Sequence, residues 1–167
     1  MQKHPHKTRF LCDEMLKGLA RWLRAAGYDT EICMSGVPDR LVLQQAVNED
    51  RILITRDHKM MEFRDAGNSV IWLECNDTES CIAALASKTL INWLLNPFSR
   101  CLQCNTPLIE ASADKMERVP DESRKLAHPL RYCPVCDKVY WEGSHVERMR
   151  SRLRAWANQP AKSLSKS

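Results

Sequence analysis

The chain has 167 residues, of which 44% are hydrophobic and 28% charged, and its net charge is +4. That length suits one packed domain with a small appendage, and no apolar run is long enough to span a membrane. The basic N-terminus lacks the apolar stretch of a secretory signal, so the expected location is the cytoplasm, and the eight cysteines are expected to meet a reducing compartment.

In chain order, residues 8–12 read as a strand that ends at Asp13. Residues 14–26 then carry Met15, Leu16, Leu19, Ala20, Leu23 and Ala26 at helical spacing, and Gly27 is placed to end that helix. Residues 28–33 read as a second strand, Ser35 to Pro38 as a turn, and residues 39–49 as a second helix with Val42, Leu43, Ala46 and Val47 inward. A third strand over 51–55 leads through Arg56 and Asp57 into a helix reaching about Ala66. A fourth strand covers 69–73, and a helix over 78–95 is stopped by Pro97.

Strands alternating with helices predict an α/β fold, with a parallel sheet covered on both faces. Right-handed crossovers make it Rossmann-like and doubly wound, and the first strand is not followed by the glycine pattern of a dinucleotide site. The expected organisation is an α/β domain over 1–97, a cysteine-bearing unit over 98–158 and a disordered tail over 159–167. The first 97 residues carry a net −1 and the remainder +5. In the second unit, residues 139–141 read as a short strand. Residues 146–157 read as a helix with Val146, Met149, Leu153 and Trp156 on one face and arginines on the others.

Two C-x-x-C turns, Cys101 with Cys104 and Cys133 with Cys136, point four thiolates at a common centre. Paired knuckles of this kind fit a tetrahedral Zn²⁺ site, and four sulfurs leave no position for water, so the site is expected to be structural. Two redox pairs or disulfides are the less specific alternative. With four sulfurs present, His128 and His145 read as solvent or interface histidines.

In an open parallel sheet, ligands bind beyond the carboxyl ends of the strands. Asp13 follows the first strand, Asp57 the third and Asp77 the fourth, while Asp39 opens the second helix. Crowded acids repel unless a cation sits between them, and Mg²⁺ or Mn²⁺ prefers such oxygen donors. The expected chemistry is metal-assisted phosphodiester hydrolysis. Asp39 also reads as a helix-start charge and Asp77 as an N-cap. Lys17, Arg21 and Arg24 form a basic stripe on the first helix, with Arg56 beside Asp57. These are candidate phosphate contacts or a solvated face. Trp22 reads either as a base-stacking ring or as packing.

The run Phe10 to Leu16, then Leu19 to Arg24, Gly27-Tyr28, Ile54 to Asp57, both cysteine pairs and Val139 to His145 resemble the Mut-seven C-terminal RNase family over residues 9–149. The resemblance implies a PIN-like nuclease fold with an appended zinc ribbon and metal-dependent ribonuclease activity. By position it carries acidic roles to Asp13, Asp39 and Asp57 and basic roles to Arg21, Arg24 and Arg56. Asp77 is added from its placement after the fourth strand. The family often has consecutive acids near the second helix, where this chain has Asp39 between Pro38 and Arg40. The leading expectation is a ribonuclease acting on RNA. The alternatives are a non-catalytic RNA- or ribosome-binding module and a protein-interaction module.

Overall fold

A computed structural model describes residues 8–64, 66–125 and 129–159. His128 and the expected disordered tail, apart from Gln159, lie outside the described residues.

Four parallel strands form the main sheet: β1 (Arg9–Cys12), β2 (Asp29–Ile32), β3 (Ile52–Thr55) and β4 (Val70–Trp72). Their order is β2-β1-β3-β4, with Cys12 level with both Ile32 and Ile54. Side chains alternate across a strand. Phe10, Cys12 and Ile54 therefore join one core while Leu11 and Leu53 join the other. Helix α1 (Lys17–Ala26) packs on the first face, and α2 (Asp39–Asn48) places Val42, Leu43 and Ala46 on the second. The α/β expectation with helices on both faces holds. Among the described residues no helix is long and apolar enough to cross a membrane.

Helix α1 ends at Gly27, whose φ of 105° is left-handed. A Cβ there would lie 2.5 Å from the Asn96 carbonyl oxygen, so glycine serves both the turn and the close approach. The amides of Asn96 and Phe98 return to donate to the Ala26 and Ala25 carbonyls at 2.9 and 2.8 Å. They satisfy helix-end acceptors that would otherwise be orphaned.

That return path corrects one expected boundary. Helix α3 (Thr78–Lys88) stops well before residue 95, at an extended Thr89. The Asn92 amide donates to the Tyr28 hydroxyl at 2.8 Å, and Trp93 turns into the core. A continued helix would forfeit both. The helix expected between Asp57 and Ala66 is replaced by short 3₁₀ turns over His58–Glu62 and Gly67–Ser69. A similar turn, Glu14–Leu16, precedes α1.

A second sheet is antiparallel, in the order β5 (Ile109–Glu110), β6 (Arg131–Cys133) and β7 (Lys138–Tyr140). Two short helices, α4 (Ala113–Met116) and α5 (Asp121–Arg124), lie between β5 and β6. The closing helix α6 (Ser144–Ala157) returns to the main core through Met149 and Leu153. There Trp156 meets Trp22 edge-on at 4.7 Å and Trp93 at 5.1 Å. Trp22 is thus a packing residue.

Cys75 and Cys81 are joined by a disulfide, in contrast to the expected reduced thiols. The turn from β4 into α3 brings their Cα atoms to 5.0 Å, within bonding reach.

Candidate functional site

The strand order places its reversal between β1 and β3, since β2 lies to one side of β1 and β3 to the other. That is where an open parallel sheet forms a crevice at its carboxyl rim. Asp13 follows β1 and Asp57 follows β3, so both stand at this crevice. The Thr55 hydroxyl links them. It donates to Asp13 Oδ2 at 3.3 Å and accepts from the Asp57 amide at 3.0 Å. Each acid also caps a 3₁₀ turn with its Oδ1, Asp13 from the Met15 amide at 3.1 Å and Asp57 from the Lys59 amide at 2.9 Å. These bonds hold the carboxylates in place, and each carboxylate keeps unused lone pairs. Glu14 is beside them and accepts from the Ser35 hydroxyl at 3.2 Å.

The other acids stand differently. Asp39 is exposed in the first turn of α2. Asp77 is the N-cap of α3, accepting from the Ser80 amide at 2.7 Å while the Ser80 hydroxyl accepts from the Asp77 amide at 3.1 Å. This reciprocal cap accounts for an acid at that position. No three of these carboxylates converge as closely as the cysteine sulfurs described below.

The basic stripe divides. Lys17 and Arg21 are exposed, and Arg21 meets His145 Nε2 at 3.3 Å. Arg24, expected at phosphate, is instead 3% exposed. Its Nε donates to the Thr30 carbonyl at 2.8 Å and its Nη1 to the Gln103 and Leu102 carbonyls at 2.8 and 3.2 Å. Burial lowers its pKa, opposed mainly by the negative field of Glu31. Arg24 therefore clamps the first cysteine knuckle to β2. Arg56 lies half-buried at the end of β3, its carbonyl accepting from Trp72 Nε1 at 3.2 Å.

The sulfurs of Cys101, Cys104, Cys133 and Cys136 all lie within 4.8 Å of one another, and Cys101 and Cys133 are buried. Tetrahedral Zn–S bonds of about 2.3 Å require sulfurs roughly 3.8 Å apart, and the Cys104–Cys133 separation is 3.5 Å. Second-shell contacts are in place. Tyr140 Oη lies 3.0 Å from Cys101 Sγ, and the Cys136 amide donates to Cys133 Sγ at 3.3 Å. Four thiols this close resist joint ionisation. Burial opposes ionisation of Cys104, but hydrogen bonds to Thr106 bring it down to about 6, whereas its bond to Cys104 pushes Cys136 up to about 12. A central dication resolves that conflict, so the cluster fits a structural zinc site.

Each knuckle is followed by a residue with positive φ, Asn105 at 69° and Asp137 at 55°, residue types that tolerate this conformation.

A Mut7-C RNAse domain family model matches residues 8–153. The chain belongs to that family. Its Mut7-C RNase domain takes in both the parallel sheet and the cysteine-bearing lobe. The chain is similar to the human protein described as "Exonuclease mut-7 homolog", with 31% identity over 117 residues, 66% of this chain. It spans 13% of that relative's length. No solved structure matches it. Family and relative together support a nuclease-type function.

Within this Mut7-C RNase domain, Asn105 carries a docking role that sequence reasoning missed. It is 4% exposed and behaves like an added piece of strand. Its Oδ1 accepts from the Thr30 amide at 2.9 Å, and its Nδ2 donates to Asp29 and Glu31 at 2.8 and 2.9 Å. Its signal was an asparagine directly after a C-x-x-C pair. Asp29 also pairs with Arg51 at 2.7 Å and with Arg9 at 3.1 Å. Burial alone would raise its pKa, but bonds to Arg51 and Asn105 hold it near 2.

Proposed function

We propose that this chain is a divalent-metal-dependent ribonuclease whose catalytic acids are Asp13 and Asp57, and whose ribbon is held by a structural zinc ion. The observation that carries this reading is the placement of both acids at the β1/β3 reversal, where the Thr55 hydroxyl donates to the Asp13 carboxylate and accepts from the Asp57 backbone amide. Mg²⁺ or Mn²⁺ keeps several waters and needs only one or two protein carboxylates when substrate phosphates complete its shell. Two anchored acids with free lone pairs fit that requirement. Such an ion would supply an activated water and charge neutralisation on the scissile phosphate. Thr55 would orient Asp13, Arg56 and Arg21 would draw the RNA backbone toward the rim, and Asp39 would add negative charge from α2. Asp77 would act through the start of α3 rather than as a ligand.

The test is cleavage of labelled RNA by purified, zinc-loaded protein with added Mn²⁺. An Asp13→Asn, Asp57→Asn double variant is expected to lose activity by about 100-fold or more. Equal cleavage by variant and wild type refutes the assignment. A second reading, an RNA-binding module without cleavage, draws on Asp77 being committed to its cap and on the lack of three converging acids. Tight RNA binding with no cleavage in any divalent metal would select it.

A further inference from the structure

We propose that the cleft between α1 and the cysteine-bearing lobe is a track for single-stranded RNA, gripping about four phosphates and stacking one base on Trp141. This rests on the reading above that the substrate is RNA, and it names where and in what form the strand is held.

The cleft has a volume of about 960 Å³. Lys17 and Arg21 project from its α1 wall, and Arg131, Lys138 and Trp141 from the opposite lobe. Its charge is not internally balanced. Asp137 is taken by Arg118 at 2.9 Å and Lys115 at 3.3 Å, and Glu142 by Arg150. Lys17, Arg131 and Lys138 have no carboxylate within ion-pair reach among the described residues, and Arg21 meets a histidine ring instead of an acid. Four cations thus face a cleft whose own acids are occupied. Such a surface attracts a polyanion and releases its counterions.

The aromatic content points to unpaired bases. The chain has five tryptophans. Trp22 and Trp93 each pack against Trp156, and Trp72 lies between His58 and Lys88. Trp141 lines the cleft with no aromatic or cationic partner among the described residues. Gly143 lies against the indole: a Cβ there would stand 3.0 Å from Trp141 Nε1. An indole beside unneutralised cations is the arrangement that binds single strands, where every base offers a face to stack. Paired bases in a duplex are not available to it.

The cleft's lining stops short of the acids but comes near them in the chain. Lys17, the first residue of α1, follows Asp13 by four residues, and Ile32, paired with Cys12 at the carboxyl end of the sheet, lines the same space. A strand lying along α1 would therefore arrive at Asp13 with its backbone already held.

The experiment uses the full zinc-loaded chain without added Mg²⁺ or Mn²⁺. Fluorescence anisotropy is read on a labelled single-stranded oligouridylate and on an RNA duplex of equal length. The single strand is expected to bind more tightly, with log affinity falling against log salt at a slope of about −3, from four phosphates at about −0.7 each. Lys17→Glu with Lys138→Glu is expected to weaken binding by about tenfold or more. The exposed pair Arg64→Glu with Arg148→Glu, an equal charge change outside the cleft, is expected to cost about threefold at most. Trp141→Ala is expected to weaken binding by about fivefold to a hundredfold, with Trp141→Phe recovering most of it. Zinc content and melting temperature verify that each variant is folded.

The proposal is overturned if the control pair weakens binding as much as the cleft pair, if the duplex binds as tightly, or if no RNA binds. Binding in the cleft without Mn²⁺-dependent cleavage would sink the nuclease reading and keep the track. Cleavage unaffected by the cleft variants would do the reverse.

Discussion

Replacing Arg24 by methionine keeps most of the side-chain volume and removes one function, donation to three carbonyls belonging to β2 and the first knuckle. Those bonds measure 2.8, 2.8 and 3.2 Å. A charged donor on a neutral carbonyl contributes about 1.5 kcal/mol, so three sum to about 4.5 kcal/mol. Arg24 is buried without a carboxylate ion pair among the described residues, and its removal relieves part of the cost of desolvating a guanidinium. The expected net loss is about 3 kcal/mol, which for a chain of this size lowers the melting temperature by about 6–12 °C. Arg21→Met is the control. Arg21 is exposed and bonds one histidine ring, so its loss is expected to change stability by about 0.5 kcal/mol or less. Calorimetric melts of both variants, zinc-loaded, make the measurement. Equal melting temperatures for Arg24→Met and wild type, or equal losses in both variants, would refute the clamp and return Arg24 to the surface stripe.

Two other outcomes are expected. The purified chain carries about one zinc ion, and Cys133→Ser releases it and unfolds the ribbon, because metal binding in such sites supplies on the order of 10 kcal/mol of folding energy. Metal analysis beside a thermal melt tests this, and a variant that keeps both its zinc and its melting temperature contradicts it. The depressed pKa of Asp29 gives stability that is present above the unfolded carboxylate value of about 3.9 and is lost as pH falls toward about 2. Urea melts between pH 5 and 2 should therefore show a steeper decline for wild type than for Asp29→Asn. Parallel curves would show that Asp29 is not held by Arg51 and Asn105.

What the sequence made legible was local. A C-x-x-C turn needs only itself to aim two sulfurs, so Cys101, Cys104, Cys133 and Cys136 could be assigned from spacing alone, and they meet within 4.8 Å. Strand followed by acid is equally short-range, and Asp13, through its carboxylate, and Asp57, through its amide, both meet the Thr55 hydroxyl because parallel strands end at a common edge. The early end of α3 was not legible, because Tyr28, 64 residues earlier, captures the Asn92 amide.

Arg24 shows where that limit falls. By helical spacing it continues the exposed face of Lys17 and Arg21, and nothing in the helix distinguishes it. Its environment is set by carbonyls 78 and 79 residues further along, on the same knuckle that Asn105 pins to β2. The two contacts are reciprocal: each lobe inserts one polar side chain among the other's backbone groups. An apolar joint of similar area would tolerate sliding, whereas directional bonds from both sides fix the angle between the lobes. A fixed angle sets the spacing of the two cleft walls. In the proposed track, the arginine withdrawn from the basic stripe would serve RNA binding indirectly, by holding in register the two walls on which Lys17, Arg21, Arg131 and Lys138 stand.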